Sequence, residues 1–168
     1  MRVIAGTAGS LELTYPEDVE IRPTADRVRE ALFNALVADL PDARFLDLYA
    51  GAGSAGIEAL SRGADFAAFI DRHPSCIEAI EQNLEFTGLE DRAVLIRHSL
   101  PSGLKDVWQK HGPFDIVFAD PPYAIDHRPL LATIDECAAG AAALVILECS
   151  MRNEPEFSGM PVIHRQEI

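Results

Sequence analysis

Two short segments carry residues whose types and spacing can do chemistry. Asp120-Pro121-Pro122-Tyr123 follows directly on the apolar run from Phe114 to Ala119. At a strand end, the Asp120 carboxylate can accept a hydrogen bond from an exocyclic N–H group. Pro121 and Pro122 fix two successive φ angles and remove two main-chain donors, so the loop is stiff and its carbonyls are left to face the same nitrogen. Tyr123 adds a flat surface on which a heterocycle can stack. Taken alone, the tetrapeptide also reads as a strand followed by an ordinary Pro-Pro turn. Upstream, however, lies the glycine-rich turn Gly51-Ala52-Gly53-Ser54-Ala55-Gly56, and the two segments together point to methyl transfer onto an amine.

Each position has a physical role in that chemistry. Gly51 and Gly53 let the main chain come close to a cofactor, and Gly56 lets the following helix pack tightly on a sheet. Asp71, as an ionised acceptor, can take both hydroxyls of a ribose. The same glycines, with Asp71 twenty residues beyond Gly51, also satisfy the GxGxxG pattern of a nicotinamide site. Asp47 favours S-adenosylmethionine instead, because a negative charge just before the glycines opposes a pyrophosphate and suits a sulfonium or an ammonium. Hydride transfer, moreover, gives the Asp120 to Tyr123 loop nothing to do. Ser99 is a candidate for the adenine edge, although a serine after a strand also serves as a turn residue. An aryl amine shares its lone pair with its ring. Hydrogen bonds from its N–H groups to Asp120 and to the Pro121 carbonyl would draw it toward a tetrahedral geometry aligned with the methyl group.

These residues need a scaffold that gathers strand ends. After a strand-like start at Met1 to Ala5, Thr24 is a plausible N-cap with Asp26 in the first turn. Val28, Ala31, Leu32, Ala35 and Leu36 then form one apolar helix face that ends before Pro41. Strands are expected at 44–49, 66–71, 93–98, 114–119 and 143–149. They alternate with helices at 54–62, 74–84, 100–110 and 129–138, and a last strand candidate lies at 161–165. Strands apolar on both faces and separated by helices specify a doubly wound, mostly parallel α/β sheet, whose ligand crevice lies at the carboxyl strand ends. Asp47, Asp71 and Asp120 all fall at such ends. One domain over 1–168 is expected, with residues 1–40 capping the cofactor site.

Composition limits the partners. The net charge is −13, whereas affinity for phosphate backbones comes from clustered Lys and Arg. Arg22, Arg27 and Arg29 form the cluster near the start, surrounded by Glu17, Asp18, Glu20, Asp26 and Glu30. Polyanion binding would therefore be local or helped by a partner. Cys76, Cys137 and Cys149 show no CxxC spacing and read as reduced, mostly buried thiols. His98 reads as a strand-end residue. His73, His111, His127 and His164 show no metal spacing and read as surface, so no metal is expected. Met1 to Ser10 lacks the regions of a signal peptide and no apolar run reaches membrane length, so a cytoplasmic monomer is expected.

The stretch from Arg22-Pro23-Thr24-Ala25-Asp26-Arg27-Val28-Arg29 to Asn34, the segments Leu46 to Gly53 and Glu58 to Ala64, and Asp120 to Tyr123 resemble the bacterial 16S ribosomal RNA guanine-N2 methyltransferases (the guanine-966 family), which have the Rossmann-like class I S-adenosylmethionine-dependent fold. The resemblance covers nearly the whole length. It implies methylation of a guanine exocyclic amine in 16S rRNA, on an assembling 30S particle. It assigns the Gly51 to Gly56 loop and Asp71 to the cofactor and Asp120 to Tyr123 to the base. Thr24, Arg27 and Arg29 are placed on a helix that caps the cofactor or faces RNA. Relatives begin with a basic, glycine-rich stretch, whereas Gly6 to Glu12 here holds no Lys or Arg. Because the chain stops at Ile168, the closing antiparallel strand is expected to be missing. Two other readings stay open: methylation of another amine (DNA adenine, a protein amide or a small molecule), and a non-catalytic S-adenosylmethionine-binding protein.

Overall fold

The computed structural model describes residues 1–19, 26–122, 125–138 and 143–148. Its elements are α1 (Asp26–Ala35), β1 (Arg44–Leu48), α2 (Ser54–Ser61), β2 (Phe66–Asp71), α3 (Pro74–Thr87), β3 (Ala93–Arg97), α4 (Leu104–His111), β4 (Ile116–Ala119), α5 (Arg128–Ala138) and β5 (Leu144–Leu147). The strands form one parallel sheet in the order β3-β2-β1-β4-β5. The doubly wound α/β expectation is met. No antiparallel strand belongs to the sheet among the described residues, and 161–165 lies outside them.

The side-chain alternation of β1 sorts the two faces. Phe45 joins Phe33, Ile57, Phe69 and Ile80 on the side covered by α1, α2 and α3. Leu46 and Leu48 join Ile70, Leu104, Val107 and Ile134 on the side covered by α4 and α5. Asp47 shares Phe45's parity, so its carboxylate faces α2 inside the first layer. From β1 the chain winds outward through β2 and β3, then returns to place β4 on β1's other side. That reversal opens the crevice between β1 and β4 at their carboxyl ends.

Boundaries moved where backbone chemistry demanded it. β1 stops at Leu48 because Tyr49 turns into the left-handed region at φ 60°. β4 starts at Ile116 rather than Phe114, whose ring packs edge-on against Trp108 at 5.3 Å between centroids. α3 runs on to Thr87, where Gly88 at φ 68° supplies the left-handed cap. The expected N-terminal strand is only an antiparallel bridge between Arg2 and Glu12.

Main-chain hydrogen bonds from Val3 to Leu11 and from Leu13 to Met1 flank that bridge, and buried polar side chains tie the segment to the helices. Glu58, wholly buried on α2, accepts the Ile4 and Ala5 N–H groups at 2.6 and 3.1 Å and pairs with Arg62 at 2.6 Å. The Ser61 hydroxyl accepts the Ala8 N–H and donates to the Ala5 carbonyl. Asn83 on α3 accepts the Thr14 N–H and donates to the carbonyls of Thr14 and Ala52. Asn83 thus ties the segment to the glycine turn itself.

Candidate active site

One cleft opens at the crevice between β1 and β4. Asp47, Tyr49, Gly51, Ala52 and Ser54 line it from β1 and the turn into α2; Phe118 and Asp120 line it from β4, and Glu148 from the end of β5. Met1, Tyr15, Val28, Arg29 and Leu32 close the opposite wall. The glycine turn and Asp120, chosen from sequence for different partners, therefore share one space.

The glycine turn is built for close approach. Gly53 sits at φ 80°, in the left-handed region that glycine tolerates. A Cβ on Gly56 would lie 2.2 Å from Phe69 Cε1, so α2 packs on β2 only because no side chain is there. Tyr49, non-glycine at φ 60°, holds a strained conformation on the cleft wall.

Three carboxylates converge here. Asp47 Oδ2 accepts the Gly56 N–H at 2.8 Å. The residue is 1% exposed. Burial pushes its carboxyl well above the usual aspartate range; the Gly56 bond opposes this, and the charges of Asp120 and Asp71 add to it. The sequence reading treated Asp47 as a standing negative charge, whereas burial beside two other carboxylates works against that charge. Asp71 stands one step behind the wall: its Oδ2 accepts the Gly51 N–H and its Oδ1 the His73 N–H, both at 2.9 Å. The Cys76 thiol also bonds to it. Its capacity for ribose hydroxyls is correspondingly smaller than that of an unengaged carboxylate.

The N-terminal wall carries the complementary groups. Arg29, 2% exposed, donates to the Met1 sulfur, the Arg2 carbonyl and Asp26. Among the described residues its Nε is buried without a partner, as is the Tyr15 hydroxyl. Burial raises the Tyr15 phenol to about 12, with the Arg29 charge opposing and the Asp26 charge adding. Of the RNA-facing alternatives, Arg29 is thus turned inward, because its guanidinium ties α1 to the chain start; Arg27 remains exposed.

Other expectations fare unevenly. Ser99 is exposed in a turn where its carbonyl accepts Ser102 Oγ, and it is not among the cleft-lining residues. His98, also exposed, has its Nδ1 2.9 Å from the Ser99 carbonyl. His127, read as surface, is 3% exposed with both ring nitrogens unpartnered, and His73 and His111 are half-buried. His111 stacks on the Phe66 ring at 6.5 Å between centroids, a long-range contact that spacing does not encode. Pro121 is buried and Pro122 exposed; Thr24, Tyr123, Cys149 and His164 lie outside the described residues. Among the described residues, no group of three or more His, Cys, Asp or Glu could hold a metal ion, and no helix is long and apolar enough to cross a membrane. Sequence reasoning missed Tyr15, Tyr49 and Glu148. Glu148 alone carried a signal, the acidic residue after an apolar strand that had already found Asp120.

Comparison with known proteins identifies the family and the fold. A family described as Conserved hypothetical protein 95 matches residues 1–167. The chain is 39% identical to "Ribosomal RNA small subunit methyltransferase D" of Escherichia coli strain K12, over 100% of this chain and 84% of that protein. It is 36% identical to "Putative rRNA methyltransferase YlbH" of Bacillus subtilis, over 81% of this chain and 74% of that protein. Among solved structures, "Putative methyltransferase yhhF" from Escherichia coli superposes with a TM-score of 0.78 at 30% identity, covering 100% of this chain and 91% of that one.

Proposed function

This chain belongs to the Conserved hypothetical protein 95 family and is kin to the small-subunit ribosomal RNA methyltransferases D, and on that footing we propose that it methylates the exocyclic N2 of a guanine in 16S rRNA, using S-adenosylmethionine. The observation that carries the reading is the convergence of the glycine turn and Asp120 in one cleft at the β1–β4 switch point.

The residues present fit the cofactor. Its aminoacyl end is a zwitterion on a sulfonium, and the cleft is divided in the same way. Asp47 and Asp120 lie on the sheet side. Arg29, the single cationic side chain among the described cleft-lining residues, and the Tyr15 hydroxyl lie opposite, each with a donor buried and unpartnered among the described residues. A carboxylate placed there would satisfy both. Asp71, behind the Gly51 N–H, stands where a ribose would pass the turn. The N-terminal segment and α1 then cap the cofactor within a single methyltransferase domain.

When bound, S-adenosylmethionine supplies a methyl group already activated on sulfur. The protein's own part is to place and desolvate the acceptor. Asp120 and the Pro121 carbonyl take the N–H groups of the amine and turn its lone pair toward the methyl group, and Asp120 stands as acceptor when the proton leaves afterwards. Tyr123, outside the described residues, is the sequence's candidate for stacking on the base. No metal is required, and the chain acts as a cytoplasmic monomer on an assembling 30S particle.

The test is transfer of labelled methyl groups to 30S particles, naked 16S rRNA and DNA. Label in N2-methylguanine of the particle is expected, together with a loss of about a hundredfold or more in Asp120→Ala at unchanged cofactor affinity. Label in DNA alone, or a near-normal Asp120→Ala rate, removes the reading.

A further inference from the structure

β4 and β5 run in parallel register with Ala119 against Leu147, and the Glu148 N–H donates to the Ala119 carbonyl at 2.9 Å. The next residue on each strand is a carboxylate, Asp120 on β4 and Glu148 on β5, and both line the cleft. Neighbouring strands lie about 4.8 Å apart, so these two acidic groups leave adjacent main-chain positions. The strand order fixes which partner each serves. β1 and β2, with the glycine turn and Asp71, lie to one side of β4; β5 lies on the other. Glu148 therefore borders the side of Asp120 away from the cofactor turn.

A base read on its Watson–Crick edge presents there whatever lies beside the amine. In guanine the neighbour of the N2 amine is N1–H, a donor. In 2,6-diaminopurine the same amine is flanked by a bare N1 lone pair, and adenine likewise carries a lone pair at N1. An ionised carboxylate accepts hydrogen bonds and cannot donate one. Glu148 therefore attracts the first arrangement and repels the other two. We infer that Glu148 accepts the N1–H of the target guanine, fixing the base in its plane beside Asp120 and excluding bases whose N1 is an acceptor. The inference rests on the guanine-N2 reading of the cleft and adds the residue that selects the base.

The experiment uses 30S particles reconstituted with 16S rRNA carrying either guanine or 2,6-diaminopurine at the nucleotide the wild-type protein methylates. Both substrates keep the exocyclic amine that receives the methyl group. Wild-type protein is expected to prefer guanine by at least about a hundredfold in kcat/KM, because a site built around a donor rejects the analogue that lacks it. In Glu148→Gln, whose amide can turn an N–H toward a lone pair, the preference narrows to within about tenfold. Cofactor affinity measured by calorimetry stays unchanged. Equal use of the two substrates by wild-type protein overturns the inference whether or not the variant folds, and so does an equal drop on both substrates in Glu148→Gln. If the wild-type protein puts no label on guanine N2 of unmodified particles, the underlying functional reading fails, and the inference with it.

Discussion

Tyr15→Phe separates a cofactor-binding wall from a merely structural one, because the two roles move stability and affinity in different directions. The Tyr15 hydroxyl is buried on the cleft wall with no hydrogen-bond partner. A buried unsatisfied polar group costs about 1–3 kcal/mol. Removing this oxygen leaves the ring, and its packing, in place. The free variant should then be more stable by about 1 kcal/mol, which for a domain of this size raises Tm by roughly 2–4 °C. The bound state loses a hydrogen bond to a charged group, worth about 1.5–3 kcal/mol. Affinity for S-adenosylmethionine should therefore fall by about ten- to a hundredfold. Decarboxylated S-adenosylmethionine, which has no carboxylate to offer, should bind wild-type and Tyr15→Phe protein alike. Calorimetric titration with both compounds, beside thermal unfolding of the free proteins, reads all of these values. A lower Tm with unchanged affinity would mean that the hydroxyl is satisfied within the free protein, and the carboxylate assignment would fall.

Asp47→Asn tests the buried acid. Because burial raises the Asp47 carboxyl, its contribution favours the fold below the ordinary aspartate pKa of about 4 and is lost as the pH climbs toward the raised folded value. The Asn variant, free of that loss, should gain in Tm over wild type between pH 4 and pH 7; parallel Tm–pH curves would show that Asp47 does not titrate with folding. Gly56→Ala drives a methyl group into the Phe69 ring and should cost about 1–3 kcal/mol. Gly56→Ala combined with Phe69→Leu should recover at least about 1 kcal/mol of the summed single losses, and strict additivity in denaturant titration would sink the packing explanation.

The sheet and the reacting residues were legible in the chain because their signals are local. An apolar run such as Ile116 to Ala119 reads as a strand buried on both faces, and turns such as Gly51 to Gly56 announce their backbone geometry. Glu148 was visible by the rule that found Asp120, yet it follows the last strand, with no proline loop to mark it. Tyr15 and Glu58 carried no local signal at all. Their meaning depends on a segment from the start of the chain folding back on α2 and α3, and such contacts leave no periodic trace in the chain. His127 illustrates the converse: a polar residue beside Asp126 and Arg128, which pair at the surface at 2.8 Å, nonetheless turns its ring inward.

The chain carries 27 acidic residues against 14 Lys and Arg, and several of those cations are engaged within the fold. Arg29, Arg44 and Arg92 donate to main-chain carbonyls, and Arg62 pairs with buried Glu58. Lys105 and Arg128 pair with Glu136 and Asp126. Arg29, Arg44, Arg62 and Arg92 are thereby committed to loops and helix contacts and are poorly placed to neutralise phosphates, the term that supplies most sequence-independent RNA affinity. The cleft, in contrast, gathers carboxylates, which suit donor-bearing base edges and repel backbone phosphates. On the proposed rRNA reading, recognition falls on the base itself, once it has been turned out of its stack and presented. On the same proposed reading, a particle that holds one nucleotide exposed would perform that presentation, which reconciles the negative charge with an rRNA substrate.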